Sequence, residues 1–209
     1  MHRTRLLLWL GALVALALGP RAMATSVLAP DFDSLVAQAD YIVRAKVKSV
    51  TSEWRANPDK LGDRYIGTLV ELEVLETIAG TPPSPLVLDL VGGKIGDQEL
   101  TVQGTPNFQV GQESILFVKG NGRLVTPLVA MMHGYYPVRR DTRTATDQVL
   151  RFSGKPLYSE TDVILPLGAT SGTLLTNPAA RPLTAAAFAT KIRQSYAHRE
   201  ETLRREKQY

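Results

Sequence analysis

Residues 86–118 read LVLDLVGGKIGDQELTVQGTPNFQVGQESILFV, three apolar runs of strand length cut apart by glycine, proline and asparagine. The runs are Leu86–Val91, Leu100–Val102 and Ile115–Val118. Short apolar segments bounded by turn residues predict consecutive antiparallel strands, because a helix needs a longer run with a 3.6-residue repeat. The Gly92-Gly93 pair falls where a sheet bends or a backbone approaches closely. This stretch predicts the heart of a β-sheet domain.

The chain opens with Arg3 and Arg5, continues as an apolar run from Leu6 to Leu18, and reaches Ala22-Met23-Ala24 before Thr25. This is the three-part layout of a secretory signal peptide. Thirteen apolar residues rise only about 20 Å as a helix, short of the hydrocarbon core of roughly 30 Å, so cleavage is expected rather than anchoring. The chain has no cysteine, which removes disulfides, thiol catalysis and lipid attachment through an N-terminal cysteine. Loss of residues 1–24 takes away three arginines and no acid, so the net charge falls from +4 to +1. Seven basic residues against three glutamates in 179–209 leave the rest of the mature chain slightly acidic. No basic face suited to nucleic acid follows from that balance.

In order along the chain, an Asp or Ser of Asp31-Phe32-Asp33-Ser34 can cap a short helix through Leu35-Val36-Ala37 that Asp40 ends. From Tyr41 the period changes to two: Tyr41, Val43, Ala45 and Val47 on one face, Arg44, Lys46 and Lys48 on the other. Residues 54–63 read as a long polar loop, and Ile66, Thr68, Val70, Leu72 and Val74 as a second strand of about ten residues. Three prolines in 81–85 make a rigid connector. Lys119-Gly120-Asn121-Gly122 signals a hairpin, with Leu124-Val125 and Leu128-Val129 as its return strand. Residues 135–138 and 149–152 flank a polar segment, 139–147, that reads as a protruding hairpin loop. Residues 159–182 carry little periodicity and read as a covering loop or linker. Thr184 then caps a helix, with Leu183 and Phe188 as a hydrophobic staple and Phe188, Ile192 and Tyr196 on the docking face.

Chemistry-bearing residues are sparse. His133 and His198 alone among histidines lie beyond the leader, and neither sits in a metal-ligand spacing. The serines lack a G-x-S-x-G context, and no S-x-x-K or H-E-x-x-H occurs. Asp89, Asp97 and Glu99 near Lys94 do not match a calcium loop and read as solvated turn acids. Trp54, Tyr135 and Tyr136 are candidates for a binding face, since aromatics in loops supply contact area at low entropic cost. Lys94 and Asn107 join them as candidate binding residues on the glycine-bracketed segment 92–108. Arg139, Arg140 and Arg143 form a basic cluster able to meet an anionic surface or polymer.

LVAQADYIVRAKVKSV, VELEVLETIAGTPP, LDLVGGKIG, VQGTPNFQVGQESILFV and HGYYPV together span 35–138, about half the chain. This pattern resembles a widespread, uncharacterised family of bacterial exported domains with an AD-x-I-V first strand, a GG turn, a G-x-P-x-F-x-x-G segment and an LLF strand. Ala45 stands where that family often has glycine, and Ile78-Ala79-Gly80 replaces its usual Leu-Lys-Gly. The order of elements is also similar to the OB-type barrel of netrin-like and metalloprotease-inhibitor domains. Those inhibitors chelate zinc through an N-terminal cysteine that this chain lacks, so their mechanism is not implied. What the resemblance implies is a Greek-key barrel whose loops bind a protein or a glycan.

The expected architecture is therefore mainly β: an antiparallel Greek-key OB-like barrel over 25–158, with a short N-terminal helix, a covering segment over 159–182, and a C-terminal helix with a basic tail over 183–209. The expected function is that of an exported, monomeric, non-enzymatic binding or accessory module of the bacterial envelope, periplasmic or extracellular, without cofactor or metal. An enzyme using His133 with a nearby carboxylate, and a structural envelope protein, are the alternatives.

Overall fold

A computed structural model describes residues 28–57, 60–166 and 168–206; the leader expected over 1–24 lies outside the described residues. Helix α1 (Phe32–Gln38) starts at Asp31, whose carboxylate accepts from the Ser34 amide at 2.7 Å. Strands β1 (Tyr41–Ala56), β2 (Arg64–Gly80) and β3 (Leu86–Val91) follow as an antiparallel meander. Two short strands, β4 (Gly93–Ile95) and β5 (Gln98–Leu100), pair as a separate hairpin. Strand β6 (Glu113–Val118) then returns beside β1, and β7 (Tyr135–Asp141) and β8 (Thr146–Val149) extend the sheet outward. The main sheet is antiparallel throughout, in the order β3-β2-β1-β6-β7-β8. Helices α2 (Gly172–Thr176) and α3 (Ala185–Glu206) complete the chain.

A buried cluster packs on each face of this sheet. On one, Ile42, Ile115, Phe117, Tyr136 and Val149 meet Leu35 and Val36 of α1 and Ala185, Phe188, Ala189 and Ile192 of α3. These α3 residues fall at i, i+3, i+4 and i+7, the apolar stripe of a surface helix. Thr184 caps that helix by accepting from the Ala187 amide, and Phe188 stacks among Phe32, Phe117 and Tyr136 with ring centroids 5.1–6.2 Å apart. On the other face, Tyr41, Val43, Ala45 and Val47 join Val70, Leu72, Leu86, Leu88, Leu116, Phe108 and Tyr135 in a second core. Three register shifts in the β1–β2 ladder let the sheet bend around it.

The mainly β, antiparallel architecture with a short N-terminal and a long C-terminal helix is as the sequence implies, but no closed barrel is found among the described residues: β3 and β8 do not pair. The gap beside β3 is covered by the 119–128 connection instead. Val91 N–H donates to Val125 C=O, Asp89 N–H donates to Asn121 Oδ1, and Asn121 Nδ2 donates to Val87 C=O at 2.7 Å. At its other end the connection bridges Val118 to Leu128. Asn121 thus replaces a neighbouring strand, with a side-chain amide that carries the same donor and acceptor as a peptide.

Other boundaries move as well. Strand β1 runs through Trp54, which pairs with Ile66, so the loop begins only at Asn57 and β2 is 17 residues long rather than ten. Glu71 and Lys48 hold this two-stranded arm together across its solvent face. Leu124 and Val125 are exposed turn residues, not a return strand. The expected hairpin over 139–147 is there, but Arg139, Arg140 and Asp141 pair with Gln148, Asp147 and Thr146, so its loop is only 142–145. Segment 159–182 contains a 3-10 turn (Glu160–Ile164) and α2. Buried Asp162 organises it, accepting from the amides of Tyr158 and Ser159 and from the Ser171 hydroxyl. Buried Arg151 donates to the carbonyls of Pro166 and Ala169. Such side-chain to backbone bonds leave no periodic signature in sequence.

Candidate functional site

The β4–β5 hairpin folds back over the β1–β2 arm and roofs a cleft of about 410 Å³. Its attachment point is a pair of hydroxyls. Ser52 and Thr68 are cross-strand partners with oxygens 2.9 Å apart, and the Thr68 hydroxyl donates to Gly92 C=O at 2.6 Å. With its own proton committed, Thr68 accepts from Ser52. A Cβ on Gly93 would lie 2.2 Å from Thr68 Oγ1 and 2.5 Å from Ser52 Oγ, and its φ of +131° disfavours any side chain. Glycine at 93 is therefore required for the hairpin to seat on the sheet.

The opposite wall is segment 101–108. It is tied down by a 2.6 Å hydrogen bond between the Thr105 and Thr126 hydroxyls and by Phe108, whose ring meets Tyr135 edge-on at 5.4 Å. Val70, Leu90 and Phe108 give the cleft an apolar base, while Lys94, Glu99, Thr101 and Asn107 contribute polar groups. Lys94 and Glu99 sit opposite one another in the β4–β5 ladder.

Of the five residues singled out from sequence, two line this one cleft: Lys94 from the β4–β5 hairpin and Asn107 from the wall that follows it. Trp54 lies elsewhere on the two-stranded arm, 37% exposed, with the Arg64 guanidinium 5.5 Å from its ring centroid. Tyr135 and Tyr136 are neighbours in β7 and so point to opposite faces. Tyr135 is buried against Phe108 and Phe152, and burial pushes its hydroxyl pKa up to about 12. Tyr136 is buried against Phe117 and Phe188, and burial raises its hydroxyl further. Both rings are buried packing residues in edge-on or tilted contact with other aromatics.

His133 lies in a 3-10 turn (Met131–Gly134) beside a crevice of only about 20 Å³, whose lining includes Arg151, Ser153 and Tyr136 but no carboxylate. Asp89 is engaged by Arg55 at 2.7 Å. No group of three or more His, Asp or Glu suited to a metal ion occurs among the described residues. No helix among them is long and apolar enough to cross a membrane.

Sequence reasoning missed Ser52, Thr68, Thr105 and Thr126, which anchor the cleft walls. Their signal was faint: Ser52 and Thr68 are small polar residues at positions that alternate with outward-facing ones in β1 and β2. What emerges is a bent, helix-backed antiparallel sheet with a roofed, amphipathic cleft. No protein-family model matches the chain, and no curated protein matches it.

Proposed function

We propose that the chain is an exported, non-enzymatic binding module of the bacterial envelope that holds an amphipathic ligand or partner segment in the cleft beneath the β4–β5 hairpin. The observation that carries this reading is the cleft itself: an apolar base of Val70, Leu90 and Phe108 and polar groups on Lys94, Glu99 and Asn107, between two anchored walls. Apolar concavities with a few placed polar groups are the usual form of a binding site. Export is supported by the signal-peptide layout of residues 1–24. A Greek-key, OB-like ancestry is part of the same proposal, supported by the return of β6 to the side of β1 after a three-strand meander.

The test is retention of envelope components on the immobilised full chain. Lys94→Ala with Asn107→Ala should abolish retention while the melting temperature stays within about 2 °C of the parent, as befits exposed positions outside the core. Unchanged retention by that double variant refutes the reading.

A further inference from the structure

A second cleft lies elsewhere. About 640 Å³ in volume, it opens between the β7–β8 hairpin and the 156–158 and 180–184 segments, which run beside the outer edge of β8. Four arginines, Arg139, Arg140, Arg143 and Arg181, line it against a single carboxylate, Asp141. Strand alternation puts Arg139, Asp141, Thr146 and Gln148 on one face of the hairpin and Arg140 with Asp147 on the other.

The acids here are already committed. Asp147 bridges Arg140 at 2.9 Å and Arg44 at 3.0 Å, and those guanidiniums hold its carboxyl below the usual range. Asp141 closes the hairpin tip, accepting from the Arg143 amide at 2.9 Å and from Gln148 Nε2 at 2.7 Å. Arg143 is 91% exposed and reaches Asp141 only at 3.9 Å, while Arg139 and Arg181 make no salt bridge among the described residues. Thr184 uses its oxygen to accept from the Ala187 amide, which leaves its hydroxyl proton to be donated. The cleft thus gathers cationic donors from two separate segments, with their local acids spent on the fold.

We propose that this cleft is an anion site for a phosphorylated ligand, with Arg139, Arg143 and Arg181 binding the phosphoryl oxygens and the Thr184 and Tyr158 hydroxyls facing the group that carries the phosphate. Guanidinium forks match the oxygens of a phosphoryl group, and several of them favour its higher charge over that of one carboxylate. The volume exceeds what a bare phosphate fills and suits a sugar phosphate or a phospholipid headgroup.

Calorimetric titration of the full chain with glucose 1-phosphate tests the soluble source. Co-sedimentation with phosphatidylglycerol vesicles, against pure phosphatidylcholine, tests the lipid source. Binding of glucose 1-phosphate but not glucose, or of phosphatidylglycerol but not phosphatidylcholine, supports the site provided that Arg139→Ala with Arg181→Ala weakens it about tenfold or more, the scale of a lost charged hydrogen bond. Arg204→Ala with Arg205→Ala, on the exposed end of α3, removes the same two charges and controls for loss of charge alone. Binding of neither probe overturns the proposal, as does an equal loss in the two double variants. Unfolding curves of the variants exclude misfolding as the cause.

Discussion

Replacing Asn121 with alanine removes both side-chain bonds that stitch the 119–128 connection to β3. The Asp89 amide and Val87 carbonyl are then left on a half-buried strand edge. Each bond contributes about 1 kcal/mol net, and partly buried groups recover only some of that from water, so the expected loss is about 2–3 kcal/mol. For a chain of this size that is a fall in melting temperature of about 5–10 °C. Asn121→Asp keeps an acceptor for the Asp89 amide but turns an oxygen toward the Val87 carbonyl, and should do no better than alanine. Arg123→Ala, in the same turn but 77% exposed, should be neutral. Hydrogen exchange localises the effect: the Asp89 amide should lose protection in Asn121→Ala, while the amides that join β1 to β2 keep theirs. A melting temperature within about 1 °C of the parent, with Asp89 protection unchanged, would refute the claim that this side chain stands in for a strand.

Phe188→Ala empties the centre of a four-ring cluster and should cost about 3–5 kcal/mol by urea unfolding, whereas deletion of 199–209, of which 201–206 are exposed, should leave the melting temperature nearly unchanged. Gly93→Ala should unseat the β4–β5 hairpin and destabilise by more than about 1 kcal/mol, seen as faster exchange at 92–100 than elsewhere in the chain. Because Arg140 and Arg44 depress the Asp147 pKa, the stabilisation this carboxylate supplies is complete above its unfolded value of about 3.9 and is lost as pH falls through the lower folded value. Asp147→Asn should accordingly lower the melting temperature at pH 7 and narrow the difference between pH 7 and pH 3; an unaltered difference counts against that linkage.

Local chemistry was enough for the elements themselves. A capped helix before Asp40, the two-residue period from Tyr41, the alternation in β2 and the Thr184 cap with Phe188 and Ile192 each depend on contacts within a few residues, which sequence displays directly. Element lengths were less legible. Trp54 and Ser52 continue β1 past its apolar face because β2 pairs with them, and ladder pairing extends a strand wherever a partner exists. What covers the β3 edge of the sheet was decided by tertiary structure alone. An open β3 edge is satisfied by an asparagine some thirty residues away, and Gly-Asn-Gly reads equally as an ordinary hairpin turn. The same holds for the two clefts. Lys94 and Asn107 share one segment in the sequence, but the floor beneath them comes from β2 and β3, and Arg139 shares a cleft with Arg181 only because distant segments fold against a common sheet, which leaves no spacing for a linear reading to detect.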